Sequence, residues 1–334
     1  MTGAARRPAR HGRLLRTGAA VTVLLALGGY VVVQYGSSGR SQGRCEVVSG
    51  RGDGKVFRLS AVQAVNAATI SAVGTSRGMP PRAVTIALAT AIQESGLRNL
   101  DHGDRDSLGL FQQRPSQGWG TADQIMDPTY SAGRFYEHLA KVPGYTGLPL
   151  TVAAQRVQRS GFPEAYAQHE PDARLLSAAL TGHSAASLSC GGGPAGRRGD
   201  PERVRTALVR DFGRGVLDEA AATGPSDRAG TKRPRPGTSA TGRTPAAGPG
   251  GAHTVTVPVP AGAERRRRGW ELAHWAVANA AALHIERVAY AGRQWKPSAA
   301  GAGARAWRAA DAPAAHSAGG RGSDSVLIVT ASGR

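Results

Sequence analysis

Hydrophobic and polar positions divide this chain into stretches of different character. From Thr17 to Gly39 no residue is charged, and AAVTVLLALGGYVVV supplies a nearly continuous apolar core. Its length fits a tilted or slightly short membrane span. From Lys55 onward the pattern becomes helical. Ser60 is placed to cap a helix through LSAVQAVNAATISAV, with Val62, Val65 and Ile70 among its apolar positions. Pro80 and Pro81 suit the first turn of a second helix, PRAVTIALATAIQES, and Gly96 suits its stop. Asp127-Pro128 opens a third helix, with Phe135 and Leu139 as core positions. Three short helices follow, from Pro149 to Arg159, Pro163 to His169 and Pro171 to Leu180. No strand pattern interrupts them, so the region from 45 to 190 is predicted to be mainly α.

The pattern changes after Cys190. GGGPAGRRGD breaks the periodicity, and Asp200-Pro201 then opens a helix, PERVRTALVRDF, for which the sequence shows no packing partner. Residues 221–252 are rich in Pro, Gly, Thr, Ala and Arg and have almost no core-forming side chains, which predicts a disordered linker. HTVTVPVP then alternates as a strand. A helix led by Gly269-Trp270 follows, with Leu272, Trp275, Ala276 and Leu283 on one stripe and Asn279 as its polar interruption. ERVAYAGRQW reads as a second strand and DSVLIVTA as a third. The predicted fold is therefore α+β and multidomain. A basic tail and membrane anchor occupy 1–39, a mainly α domain 45–190, a linker with one helix 191–252, and a small α/β domain 253–334.

Charge refines this picture. The 334 residues carry 42 Lys and Arg against 23 Asp and Glu, a formal net charge of +19. Such a chain calls for an anionic partner or surface. No aromatic-interleaved basic sheet or recognition motif points to nucleic acid, which leaves lipid head groups and anionic wall polymers. Arg6, Arg7, Arg10, Arg13 and Arg16 precede the apolar run and place its N-terminal flank inside. The bulk of the chain is then expected outside the cell membrane, held by a single span. Secretion after signal cleavage is the competing expectation. A lone uncharged span excludes a channel or transporter unless the chain oligomerises. Cys45 and Cys190, the two cysteines of the chain, bracket the mainly α region. In an exported chain such a pair predicts a disulfide, which closes a loop of about 145 residues and stabilises by ~4–5 kcal/mol in the chain-entropy model.

Candidate chemistry centres on Glu94. It lies near the end of an apolar helix, where Ala87 and Ala91 share its face and Val84, Leu88 and Ile92 line the next. Desolvation there is expected to raise its pKa, and the negative end of the helix dipole adds to that push. A carboxylic acid kept protonated near neutral pH is what glycosidic bond cleavage needs. Glu94-Ser95 at a helix end, followed after a loop by Ser107-Leu108-Gly109-Leu110-Phe111-Gln112-Gln113, resembles the soluble lytic transglycosylase and goose-type lysozyme group of the lysozyme-like superfamily. The resemblance runs from near Lys55 to near His183. It implies cleavage of the sugar backbone of peptidoglycan with Glu94 as the catalytic acid. The wording DSLGLFQQRPSQGWGT is also similar to that of actinobacterial envelope proteins.

The resemblance extends to sugar contacts. Ser95 and Ser107 are candidates to hydrogen-bond the acid or an acetamido group, and Gln112 and Gln113 suit sugar hydroxyls. The family's later Ala-Tyr-Asn, whose Tyr contacts the acid, has its best match in Ala153-Ala154-Gln155. Gln155 replaces the Asn, but Ala154 cannot replace the Tyr, which leaves Tyr166 and Tyr136 as substitutes from elsewhere. Two continuations of the reaction stay open. A transglycosylase needs no second carboxyl group, whereas a hydrolase uses one to position water, and Asp106, with Asp101 and Asp104 beside it, lies in the right loop. HGDRDS also reads as an ordinary turn. No metal or cofactor is expected, because two Cys without clustered His offer no zinc site and no twelve-residue calcium loop follows Asp104. The rival function is a non-catalytic envelope protein that uses a lysozyme-like fold to bind glycan or a partner. Tyr290, Gly292 and Trp295, after the Gly-Trp helix, resemble an accessory domain at the C-terminus of actinobacterial wall hydrolases. Trp270, Trp275, Trp295 and Trp307 are candidates for stacking on sugars or for burial. The run Arg265 to Arg268 is open to phosphates or to solvent.

Overall fold

The computed structural model of this chain describes residues 43–161, 163–192, 197–218, 253–297, 306–310 and 324–333. The predicted span at 17–39 and the predicted linker at 221–252 lie outside them. Among the described residues no helix is long and apolar enough to cross a membrane.

Strands β1 (Arg44–Val48), β2 (Val56–Ser60) and β3 (Leu188–Cys190) form an antiparallel sheet in the order β2-β1-β3. They frame the region predicted as mainly α. Their shortness explains why periodicity missed them, since a strand of three residues such as β3 has no period to read. The register sets Cys45 opposite Cys190, and the two form a disulfide with an S–S distance of 2.02 Å.

Helix α1 (Ala61–Ser76) starts at the predicted cap. Ser60 Oγ accepts from Gln63 N at 3.3 Å and Gln63 Oε1 accepts from Ser60 N at 2.8 Å, a reciprocal box that satisfies two end groups. Its small residues Ala64, Ala67, Ala68 and Ala72 let neighbours approach on several sides, so the helix runs through the centre of the molecule. Val62, expected among the apolar positions, is 53 % exposed. Gly74 is fixed by contact, because a Cβ there would sit 2.6 Å from the Tyr136 hydroxyl. Helix α2 (Pro81–Ser95) is buried from Ala83 to Ala91 and ends as expected at Gly96, whose φ of 60° closes the helix with N–H bonds back to its last turn. Helices α3 (Ala122–Ile125), α4 (Pro128–Ala140), α5 (Leu150–Gln158) and α6 (Glu170–Leu180) complete this half, with a 3₁₀ segment at Pro163–His169. Asp127 caps α4 through Thr129 N at 2.8 Å, and Phe135 and Leu139 are fully buried.

The C-terminal half is an antiparallel sheet under one long helix. Strands β4 (Thr254–Pro258), β5 (Ile285–Tyr290), β6 (Arg293–Trp295), β7 (Trp307–Ala309) and β8 (Ser325–Thr330) lie in the order β4-β8-β5-β6-β7. ERVAYAGRQW, read as one strand, is a hairpin. Ala291 and Gly292 both take positive φ, 49° and 72°, which turns the chain tightly between β5 and β6. Helix α8 (Arg265–Ala278) continues into a short α9 (Ala280–Leu283) and is buried throughout from Gly269 to Ala278. One side packs on β5 and β8, the other on α1, α6 and β3. Trp270, Trp275, Trp295 and Trp307 are 2, 1, 0 and 3 % exposed, so these rings are core and offer no stacking surface for sugars. In the basic run, Arg265 pairs with Asp324, Arg267 with Glu264 and Arg268 with Glu271. Those charges are answered locally.

The helix without a predicted partner is α7 (Pro201–Phe212), and its partners are α1 and β4. Asp211 is buried where α1, α7 and α8 meet. Its carboxylate accepts from Arg210 Nε at 2.7 Å, Thr69 Oγ1 at 3.1 Å and Trp275 Nε1 at 2.7 Å. Buried His274 makes a second tie. Its Nε2 accepts from Ser187 N at 3.2 Å, so Nδ1 carries the proton that Ala179 O receives at 2.8 Å. Trp307 Nε1 donates to Leu188 O at 2.8 Å. From Gly43 onward the described residues therefore close into one unit with a continuous core.

Candidate active site

Glu94 stands in the last turn of α2, where the buried helix meets the loop 107–113. Ser95, its neighbour, is buried and places its hydroxyl 2.8 Å from Leu110 O and 3.0 Å from Ala91 O. Ser95 thus pins the loop to the helix end and is spent on backbone. The loop folds tightly on itself. Leu108 and Gln113 exchange both backbone hydrogen bonds, at 2.9 and 3.0 Å. Gly109 has φ 77°, and a Cβ on it would meet Ile125 O at 2.8 Å, so only glycine fits. Ser107 is buried beneath the turn. Gln113 is buried and donates to Ser131 O at 3.0 Å, which fastens the loop to α4. Gln112 keeps the left-handed conformation, φ 48°, and its amide reaches Gly109 O at 3.3 Å.

Two side chains converge on the Glu94 carboxyl. The Tyr166 hydroxyl donates to Oε1 at 2.6 Å, and Gln158 Nε2 donates to the same oxygen at 3.3 Å and to Phe111 O at 2.7 Å. Tyr166 comes from the 3₁₀ segment after α5. Arg159 ends α5 in the left-handed region, φ 52°, and the chain turns back to bring the segment over α2. His169 anchors its far end, with Nε2 at 2.8 Å from Gln93 Oε1. Burial pushes the Glu94 carboxyl above the usual carboxylate range, and the donations from Tyr166 and Gln158 oppose that push without cancelling it. Tyr166 in turn is pushed up, first by burial and then by the negative carboxyl beside it. The arrangement can hold a proton at Glu94, release it, and then stabilise the anion with two donors already in place.

The other expected residues lie elsewhere. Tyr136 is buried against α1 and donates to Ile70 O at 3.0 Å, away from Glu94. Gln155 donates to Ser160 O at 2.8 Å, so the amide that reaches the acid is Gln158, one turn further along α5. Sequence reasoning missed Gln158. The signal was its three-residue spacing from Gln155, which places both on neighbouring positions of one helix face. Asp106 has both oxygens engaged, Oδ1 with Arg114 Nε at 2.7 Å and Oδ2 with Ser116 N at 2.9 Å. Hydrogen bonds from Ser116 and Arg114 hold it well below the usual carboxylate range.

Comparison with known proteins adds one finding. The family described as VldE, C-terminal domain, matches residues 221–318. That stretch is less than a third of the chain, covers β4 to β7 among the described elements, and ends before β8. It is similar to that domain, and the match does not reach Glu94. No curated protein matches the chain.

Proposed function

We propose that this protein cleaves the glycan strands of peptidoglycan, as a lytic transglycosylase with a lysozyme-like fold. The observation that carries the reading is the Tyr166 hydroxyl 2.6 Å from a Glu94 carboxyl whose burial favours the protonated form. It supplies, from a different element, the contact that Ala154 cannot make. Glu94 gives its proton to the oxygen between two sugars, and the bond breaks through an oxocarbenium-like state. The carboxylate left behind is held by Tyr166 and Gln158. It then takes the proton of the sugar's own 6-hydroxyl, whose oxygen closes on the anomeric carbon and forms an anhydro ring. One carboxyl group serves both steps. Asp106 is already engaged with Arg114 and Ser116, and a route through one carboxyl group asks nothing further of it. The Cys45–Cys190 bond fits an oxidising compartment, in keeping with a chain anchored by its N-terminal apolar run and facing outward.

The test is digestion of purified sacculi by the full-length protein, with mass analysis of the released fragments. Anhydro-muramyl ends are expected. Reducing ends that incorporate solvent oxygen would replace the transglycosylase with a hydrolase, and no release at all would refute the enzyme.

A further inference from the structure

His169 ends the 3₁₀ segment Pro163–His169 and joins it to α6 with helical φ and ψ of −91° and −7°. Its side chain makes no capping bond to α6. The ring turns to α2 instead, where Nε2 lies 2.8 Å from Gln93 Oε1. An amide oxygen only accepts, so Nε2 carries the proton and donates it. Gln168 Nε2 donates to the same oxygen at 3.4 Å, a longer bond. Gln93 directly precedes Glu94 on α2. Consecutive residues of one helix therefore hold consecutive parts of one segment. Gln93 takes His169, and Glu94 takes the Tyr166 hydroxyl at 2.6 Å.

Two ties bracket Tyr166. On the near side Gln155 Nε2 donates to Ser160 O at 2.8 Å, and Ser160 also hydrogen-bonds the Tyr166 side chain. That tie fastens the chain to α5, which does not carry the acid. The far tie, through His169, fastens it to the helix that does. Tyr166 and His169 are one 3₁₀ turn apart, so they rise from the same side of the segment and a displacement of one is passed to the other. The bond between His169 and Gln93 thus sets where the tyrosine hydroxyl falls along α2.

We infer that His169 is a positioning residue for the reaction at Glu94, holding the Tyr166 hydroxyl over the carboxyl through its bond to Gln93. The effect on the carboxyl follows from these contacts alone, and its bearing on catalysis rests on the function proposed above.

The test compares His169→Asn with His169→Gln in the full-length chain. Both replacements are uncharged amides. Gln reaches about as far as Nε2 of the ring, and Asn falls short by one methylene, so the pair reads reach and not charge or polarity. Titration of the Glu94 carboxyl carbon should show a pKa raised by about half a unit in His169→Asn, part of the shift that loss of the Tyr166 hydroxyl would cause. His169→Gln should titrate as the wild type does. Gln93→Leu removes the acceptor and should reproduce the shift from the other side. On a Tyr166→Phe background His169→Asn should add nothing, because the hydroxyl through which it acts is gone. An unshifted Glu94 in both His169→Asn and Gln93→Leu overturns the proposal. So does an equal shift in the Asn and Gln variants, or a full shift on the Tyr166→Phe background. In the cleavage assay His169→Asn should lose at least about tenfold, since a misplacement of ~1 Å can cost on the order of 10²-fold, and His169→Gln should recover most of it. Equal cleavage by His169→Asn and the wild type overturns the role in the reaction. A wild type that cleaves nothing overturns the proposed function, while the titration still decides whether His169 places Tyr166.

Discussion

Tyr166→Phe tests the geometry at Glu94 most directly. It removes one oxygen, the donor 2.6 Å from Oε1, and leaves the ring in its buried place. A hydrogen bond to a charged group is worth ~1.5–3 kcal/mol and one to a neutral group ~1, so the hydroxyl favours the ionised carboxyl over the acid by roughly 1–2 kcal/mol. At ~1.4 kcal/mol per pKa unit, its loss should raise the Glu94 pKa by about one unit. Gln158, at 3.3 Å, remains but is too long to compensate. The titration is read from the carboxyl carbon of labelled glutamate, with Glu94 assigned by its disappearance in E94Q. In the cleavage assay the alkaline limb of the pH profile should move up by the same amount, since the acid must begin protonated, while the rate falls because the anion is less well held. Tyr136→Phe is the control. It loses a bond to Ile70 O, costs about 1 kcal/mol of stability and should leave the Glu94 titration where it was. A Glu94 pKa unchanged or lowered in Tyr166→Phe would refute the reasoning.

Glu94→Gln should abolish sacculus digestion by at least ~10²–10⁴-fold while urea unfolding at neutral pH shows no loss of stability, because the amide resembles the protonated acid that the site prefers. A large drop in stability would mean that the site favours the carboxylate. Asp106→Asn should alter cleavage less than tenfold, and a loss approaching that of E94Q would revive the hydrolytic route. Cys45→Ser with Cys190→Ser should cost ~2–5 kcal/mol in urea unfolding, and a non-reduced peptide map of the native protein should show the linked pair. His274 predicts an acid limit to stability. Burial lowers its pKa from 6.5 to about 4, so between these values the unfolded chain binds a proton that the folded one refuses. Its contribution is complete above pH 6.5 and is lost as pH falls toward 4, at ~1.4 kcal/mol per pH unit or roughly 3 kcal/mol in all. Urea midpoints from pH 7.5 to 4 should show this slope, and His274→Gln should flatten it.

Much of the helical half was legible because its signals are local. The Ser60 cap, the Pro80-Pro81 start, the Gly96 stop and the Asp127-Pro128 start each depend on residues within one turn, and each stands where the pattern put it. Pairings over long separations were not legible. Neither β1 with β3 nor α7 with α1 and β4 announces itself in the residues that form it. The hairpin at Ala291-Gly292 was hidden because Ala carries no turn signature, although the position requires positive φ. At the site, Glu94 could be read from its place in an apolar helix, and Tyr166 only as one of two tyrosines offered in place of the missing one. Gln158 was hidden by Gln155, the same residue type one turn earlier. The four tryptophans were open to two readings because sequence shows a ring but not what covers it.

The strand order β4-β8-β5 also has a consequence in time. A chain is made from its N-terminus, and β8 (Ser325–Thr330) comes last among the described elements, yet it pairs between β4 and β5. Until it arrives, those two strands face an empty slot, and helix α8 lacks part of the surface it packs on. The delay passes inward, because α8 covers α1, α6 and β3, and α6 is packed along the helix that carries Glu94. Synthesis of the half that holds the acid is complete long before its core can close. A chain lacking β8 would lose the middle of a sheet, and with it part of the cover over α1, made about 250 residues earlier.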